Sequence, residues 1–122
     1  MILADTSIWI DHIRASNPEM EKLLSEAQIL MHPFIVAEIA LGSLKNRRKK
    51  LADLDMLFSV RLARQSEVRH MIEAHTLYAK GIGLMDAHLV ASCLLTTGTQ
   101  LWTRDAKLER VGKALGILFE LP

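Results

Sequence analysis

Short, unbroken apolar runs alternate along this chain with longer stretches in which apolar positions recur every three or four residues. The first pattern predicts strands buried on both faces, the second amphipathic helices. Met1-Ile-Leu-Ala4 reads as a strand, followed by a helix over about 6–14 with Ile8, Trp9 and Ile13 on one side. Ser16 and Glu19 have capping-box spacing around Pro18, which predicts a second helix to about residue 26. Residues 28–31 form a second strand, Pro33 opens a helix to about Leu44, and 46–58 is helical again. Ser59–Ala63 is a third strand, and Ser66 caps a long helix through Lys80 that Gly81 ends. Asp86–Thr97 is helical, Gln100–Thr103 a fourth strand, 106–114 a helix and 117–119 a last strand. Strands alternating with helices in this way predict an α/β fold with a mostly parallel sheet of four to five short strands.

Composition narrows the class. At 122 residues the chain is expected to form one domain, 1–122, with a core of Leu, Ile, Val, Ala and Met, since it holds only two Trp, one Tyr and three Phe. No apolar stretch approaches the roughly 18 residues that cross a bilayer, and the start lacks the basic region of a signal peptide. Cys93 is the only cysteine, so a cytoplasmic location is expected, with Cys93 buried as a small hydrophobe. The net charge of +1 hides a dense basic run of Lys45, Arg47, Arg48, Lys49 and Lys50. That distribution is compatible with a polyanionic partner.

Four acids stand out against this background. Asp5 ends the first apolar run, Glu38 lies within Ile35-Val-Ala-Glu-Ile-Ala-Leu41, Asp86 opens an apolar helix, and Asp105 closes Leu101-Trp-Thr-Arg-Asp. A carboxylate among apolar groups costs several kcal/mol unless a metal or a buried cation compensates it. Asp5 and Asp105 follow strands, so they project into the crevice where open parallel sheets bind ligands. Four carboxylates are hard oxygen donors suited to Mg²⁺ or Mn²⁺, and two such ions would balance their charge. The five histidines lack zinc-site spacing, and none is expected as a ligand. Singly, Asp5, Asp86 and Asp105 are equally well explained as helix N-caps, and Glu38 as a partner for a buried Arg.

Asp5-Thr-Ser-Ile-Trp-Ile-Asp11, Val36-Ala-Glu-Ile-Ala-Leu-Gly42, Leu84-Met-Asp-Ala-His-Leu-Val-Ala91 and Thr103-Arg-Asp-Ala-Lys-Leu108 resemble, in order, the motifs of PIN-domain ribonucleases, above all the VapC-type toxins. One departure is Leu108, where many relatives carry Phe. The resemblance implies a three-layer PIN-like fold and a metal-dependent endoribonuclease that leaves 3′-hydroxyl and 5′-phosphate ends. It implies that Asp5, Glu38, Asp86 and Asp105 hold one or two Mg²⁺ or Mn²⁺ ions, with Thr6, Ser7 and Thr103 in support. It also implies a homodimer and a VapB-type antitoxin seated in a groove near the acids. The apolar helix faces of Ile8, Ile13, Leu23 and Leu24 are candidates to line it, with core packing expected for most of them.

The basic run admits three readings: a solvated face, an antitoxin contact, or an RNA contact through Arg47, Arg48 and Lys49, with Arg104 a further phosphate contact beside the acids. Trp9 and Trp102 are expected in the core rather than stacked on bases. Two rival enzyme classes fail on particular residues. A haloacid-dehalogenase-type phosphotransferase needs Asp where Ser7 stands, and a phospho-receiver needs paired acids near the first strand. A degenerate PIN module that binds RNA or a protein without cutting is the alternative that survives.

Overall fold

The computed structural model describes residues 1–121. Three strands form a parallel sheet in the order β2-β1-β3: β1 (Ile2–Ala4) is central, flanked by β2 (Ile29–Leu30) and β3 (Gln100–Trp102). Leu3 pairs with Leu30 on one side and Leu101 on the other, and Ala4 pairs with Trp102. Leu3, Leu101 and Ala4 have no exposed surface, as expected of strands covered on both faces.

Among the described residues seven helices surround the sheet: α1 (Thr6–Arg14), α2 (Pro18–Ser25), α3 (Pro33–Ala40), α4 (Arg47–Asp55), α5 (Gln65–Ala74), α6 (Leu84–Leu95) and α7 (Ala106–Ala114). One apolar core joins β1–β3 to Ile8 and Trp9 of α1, Met20 of α2, Ile35 and Ile39 of α3, Leu89 and Val90 of α6 and Leu108 of α7. Trp9 and Trp102 are both buried in it, Trp102 edge-on to Phe119. Cys93 is buried as well, and desolvation pushes its thiol up to about 12, so it is chemically inert.

Several expected elements are shorter than the sequence pattern suggests. The strands foreseen at 59–63 and 117–119 are reduced to single parallel bridges, Met31 to Ser59 and Leu101 to Leu118. The cause at 59–63 is the shortness of β2: His32 already turns away as the cap of α3, leaving only Met31 to pair. The helix expected over 66–80 is α5, which ends at Ala74 and has Arg64, not Ser66, at its N-cap. Its chain reverses at Thr76 (φ 52°), with Leu77 N–H reaching Ile72 and Thr76 N–H reaching Glu73, so that Leu77 is buried. This is a Schellman turn with threonine where glycine is usual, and burial of Leu77 outweighs the backbone cost. At the start of α2 the cap is Asn17, whose side chain accepts from Glu19 and Met20 N–H, rather than Ser16. The helix expected to run from Pro33 to Leu44 stops at Ala40.

A carboxylate edge built on the parallel sheet

The C-terminal ends of β1 and β3 lie side by side, and this juxtaposition creates the site. Asp5 follows β1 directly and is the N-cap of α1, with its Oδ1 accepting from Ile8 N–H at 3.2 Å. The same oxygen accepts from the Ser7 hydroxyl at 2.5 Å, and Oδ2 accepts from the buried Thr103 hydroxyl. Both oxygens of a buried carboxylate are therefore engaged. Thr103 Oγ1 in turn accepts from Asp105 N–H at 3.0 Å, and Ser7 Oγ accepts from Arg104 N–H at 3.1 Å. Two hydroxyls thus stitch the turn after β3 to the turn after β1, across nearly a hundred residues of sequence.

Asp105 caps α7 through Lys107 and Leu108 N–H and is exposed rather than buried. Glu38 lies on the sixth residue of α3, half-buried, and accepts from the Thr6 hydroxyl at 2.7 Å. Packing of α1 on α3 brings those two together. Asp86 occupies the third position of α6; the cap itself is Gly83, so the capping explanation does not apply to Asp86. Half-burial raises the Asp86 carboxyl above its ordinary range, a Gly83 backbone hydrogen bond opposes this, and the charges of Asp5, Asp105 and Glu38 raise it further. The Asp86 carboxyl therefore feels the charges of three acids from three other segments at the same edge of the sheet.

Among the described residues the only ion pairs are Lys49 with Asp53 and Arg104 with Asp11. No cation of the protein neutralises any of the four acids, and the buried Arg considered for Glu38 is replaced by Thr6. The donor set is all oxygen and strongly anionic, which fits a hard divalent ion. Among the described residues no three acid, histidine or cysteine side chains stand close enough to enclose one ion. The fit is thus one of chemistry and placement, with like charges standing apart.

The expected RNA contacts are distributed differently. Arg47 turns back on α3, donating to the backbone carbonyls of Ala40 and Gly42. Lys49 pairs with Asp53 at 3.2 Å, and Arg104 pairs with Asp11 beside the site. Arg48 is exposed. The Arg104–Asp11 pair was missed in the sequence, although Asp11 stands one and a half helical turns beyond Asp5 on the same helix. His32 was missed too. It caps α3 by accepting from Phe34 N–H at 3.0 Å, while Phe34 packs between His32 and His88.

Comparison with known proteins gives a consistent answer. A family model described as PIN domain matches residues 2–114. Ribonuclease VapC32 from two strains of Mycobacterium tuberculosis, CDC 1551 / Oshkosh and ATCC 25618 / H37Rv, is 37% identical over 117 residues in each case. The alignment covers 96% of this chain and 94% of either relative.

Proposed function

This chain belongs to the PIN-domain family, among its VapC-type ribonucleases, and from that premise we propose that it is a divalent-metal-dependent endoribonuclease, the toxin of a toxin–antitoxin pair. The observation that carries the reading is the hydroxyl-stitched carboxylate edge, in which Asp5, Glu38, Asp86 and Asp105 meet without a protein cation. Asp5, Glu38, Asp86 and Asp105 would hold Mg²⁺ or Mn²⁺ there, and such an ion would supply an activated water and offset charge developing on the phosphodiester. The chain's own contribution is positional. Ser7 and Thr103 fix both oxygens of Asp5, Thr6 fixes Glu38, and the start of α6 presents Asp86 to all three. Hydrolysis by water leaves a 3′-hydroxyl and a 5′-phosphate. Arg48 and Arg104 are assigned phosphate contacts, Arg104 on exchange of Asp11 for the RNA.

Support for a VapB-type antitoxin comes from a cleft of about 420 Å³ between α1, α2 and α4, lined by Trp9, His12, Ile13, Leu24, Leu54 and Leu57 among others. Ile13 and Leu24 border it, whereas Ile8 and Leu23 are buried in the core. A homodimer is supported by large apolar side chains left exposed: Leu41 at the end of α3, Met56 at the end of α4, and Phe58 after it. No helix among the described residues is long and apolar enough to cross a membrane.

The test is cleavage of a mixed cellular RNA pool by wild type and Asp5→Asn, in Mg²⁺, Mn²⁺ and EDTA. Metal-dependent cleavage that the substitution abolishes is expected, with mapped ends identifying the target. No cleavage by folded protein free of antitoxin would leave the binding-only module as the better reading.

A further inference from the structure

We propose that Lys80, Lys107 and Arg110 form a phosphate-binding subsite that holds the RNA strand beside the carboxylate edge; this rests on the nuclease reading above. The three cations are scattered in sequence, with α6 and β3 lying between Lys80 and Lys107. The fold gathers them around a cleft of about 230 Å³ between the loop after α5 and one side of α7. His75, Thr76, Leu77, Val111, Ala114 and Leu115 complete its lining, and no carboxylate is among them. Among the described residues none of the three cations has an acid within ion-pair distance. Arg47 and Lys49, by contrast, are occupied within the protein, and Arg104 is free for RNA only after leaving Asp11.

Local geometry favours charge at this place despite its cost. Lys107 lies in the first turn of α7, where a cation opposes the helix dipole. Its aliphatic stem lies flat on Gly81: a Cβ at that residue would stand 2.7 Å from Lys107 Cδ. Gly81 also has φ +79°, so the loop turns there in a conformation that side chains resist. The position of the cleft assigns its ligand. Lys107 N–H donates to Asp105 Oδ1 at 2.9 Å, and Gly81 stands two residues before Gly83, the cap of the helix that carries Asp86. Lys107, at one end of the cleft, is thus two residues from Asp105, and the Gly81 loop leads into the helix that carries Asp86. A polyanion approaching a carboxylate edge is repelled, and unpaired cations flanking that edge offset the repulsion and set the strand's path. Arg110 also borders a second cleft, shared with Arg104, Lys113, Glu109 and Glu120, where charge is mixed.

The test measures binding of a short fluorescent single-stranded RNA in EDTA, as a function of salt, for wild type, Lys80→Gln/Arg110→Gln and a control Arg14→Gln/Lys22→Gln. All four positions are exposed, so melting curves should stay close to wild type. The subsite variant should lose about 0.7 of salt slope per phosphate contact removed, hence about 1.4 in total, while the control keeps the wild-type slope. In Mn²⁺, its KM should rise with kcat nearly unchanged. An unchanged slope, or equal losses in both variants, would overturn the subsite. Weakened binding of the antitoxin with intact RNA binding would overturn it as well, in favour of a protein contact. A wild type that neither binds nor cuts RNA would instead sink the nuclease reading on which the subsite depends.

Discussion

The acidic edge of the sheet and the basic start of α4 both concentrate like charge, and the fold treats them in opposite ways. At the acidic edge, four residues spread from position 5 to position 105 are brought together and left without a cation of the protein. Hydroxyls of Ser7, Thr103 and Thr6 orient Asp5 and Glu38, while half-burial, with the charges of the other three acids added, raises Asp86. At α4, cations adjacent in sequence are dispersed around a helix and partly engaged: Arg47 on the carbonyls of Ala40 and Gly42, Lys49 on Asp53. Asn46, which precedes them, is left-handed at φ 52° and makes no side-chain cap. Charge left unpaired by a fold at a convergent point is the stronger sign of a ligand, and density in the sequence is a poor guide to it.

The sharpest way to break this contrast is Asp5→Asn. Losing even an outer partner of a metal ligand costs about 10–100-fold, so losing Asp5 itself should cut cleavage at least about 100-fold. The buried, hydrogen-bonded position should still fold, since asparagine keeps one oxygen for Ile8 and Ser7. Single-turnover assays on a defined RNA, with circular dichroism as the control for folding, would measure both. Full activity in the variant would mean that the edge is not the reaction centre.

Much of that edge was legible in the sequence because its residues violate simple rules. Glu38 amid apolar neighbours resists the capping explanation that fits Asp5 singly, and the motif residues Thr6, Ser7 and Thr103 prove to be the hydrogen-bond donors to these two acids. Less legible were features decided by tertiary packing. Nothing local marks the end of α5 at Ala74: Leu77 is drawn into the core from five residues beyond Ile72, and Gly81, the obvious stop, serves a different turn. The strand expected at 59–63 fails for a similar reason, since β2 is only two residues long and leaves only Met31 beyond it to pair. The α4 run misleads because a sequence lists charges without showing which carbonyl or carboxylate each one meets.

The two regions are joined by α3, and this yields the next two effects in size. Its N-terminus is capped by His32, which must be neutral to accept from Phe34, and desolvation followed by the nearby His88 pushes its pKa from 6.5 down to about 4. The folded state therefore refuses a proton that the unfolded chain accepts. The resulting stability is whole above pH 6.5, declines as pH falls through that range and is gone below about 4. It amounts to roughly 3 kcal/mol at most. Urea unfolding at pH 7 and pH 4 in chelator should show His32→Asn, which retains a cap oxygen, losing less stability on acidification than wild type; an identical loss would remove His32 from the account. At the other end, Arg47→Gln removes a charged donor from the carbonyls of Ala40, the last residue of the helix carrying Glu38, and of Gly42 just beyond it. It should destabilise by about 1 kcal/mol and leave the salt slope of RNA binding unchanged.

Lys49→Gln is the smallest effect and the most discriminating. Its pair with Asp53 is an i,i+4 contact with side chains 77% and 64% exposed, so its loss should cost less than about 0.5 kcal/mol. Cleavage and the salt slope of RNA binding should match wild type, because a cation already held by a neighbouring carboxylate releases few counterions on meeting a phosphate. A slope flattened by about 0.7 would show instead that Lys49 leaves Asp53 for the RNA. In that case the α4 run would be a second RNA-binding surface, and the contrast between paired and unpaired charge would no longer distinguish a structural cation from a functional one.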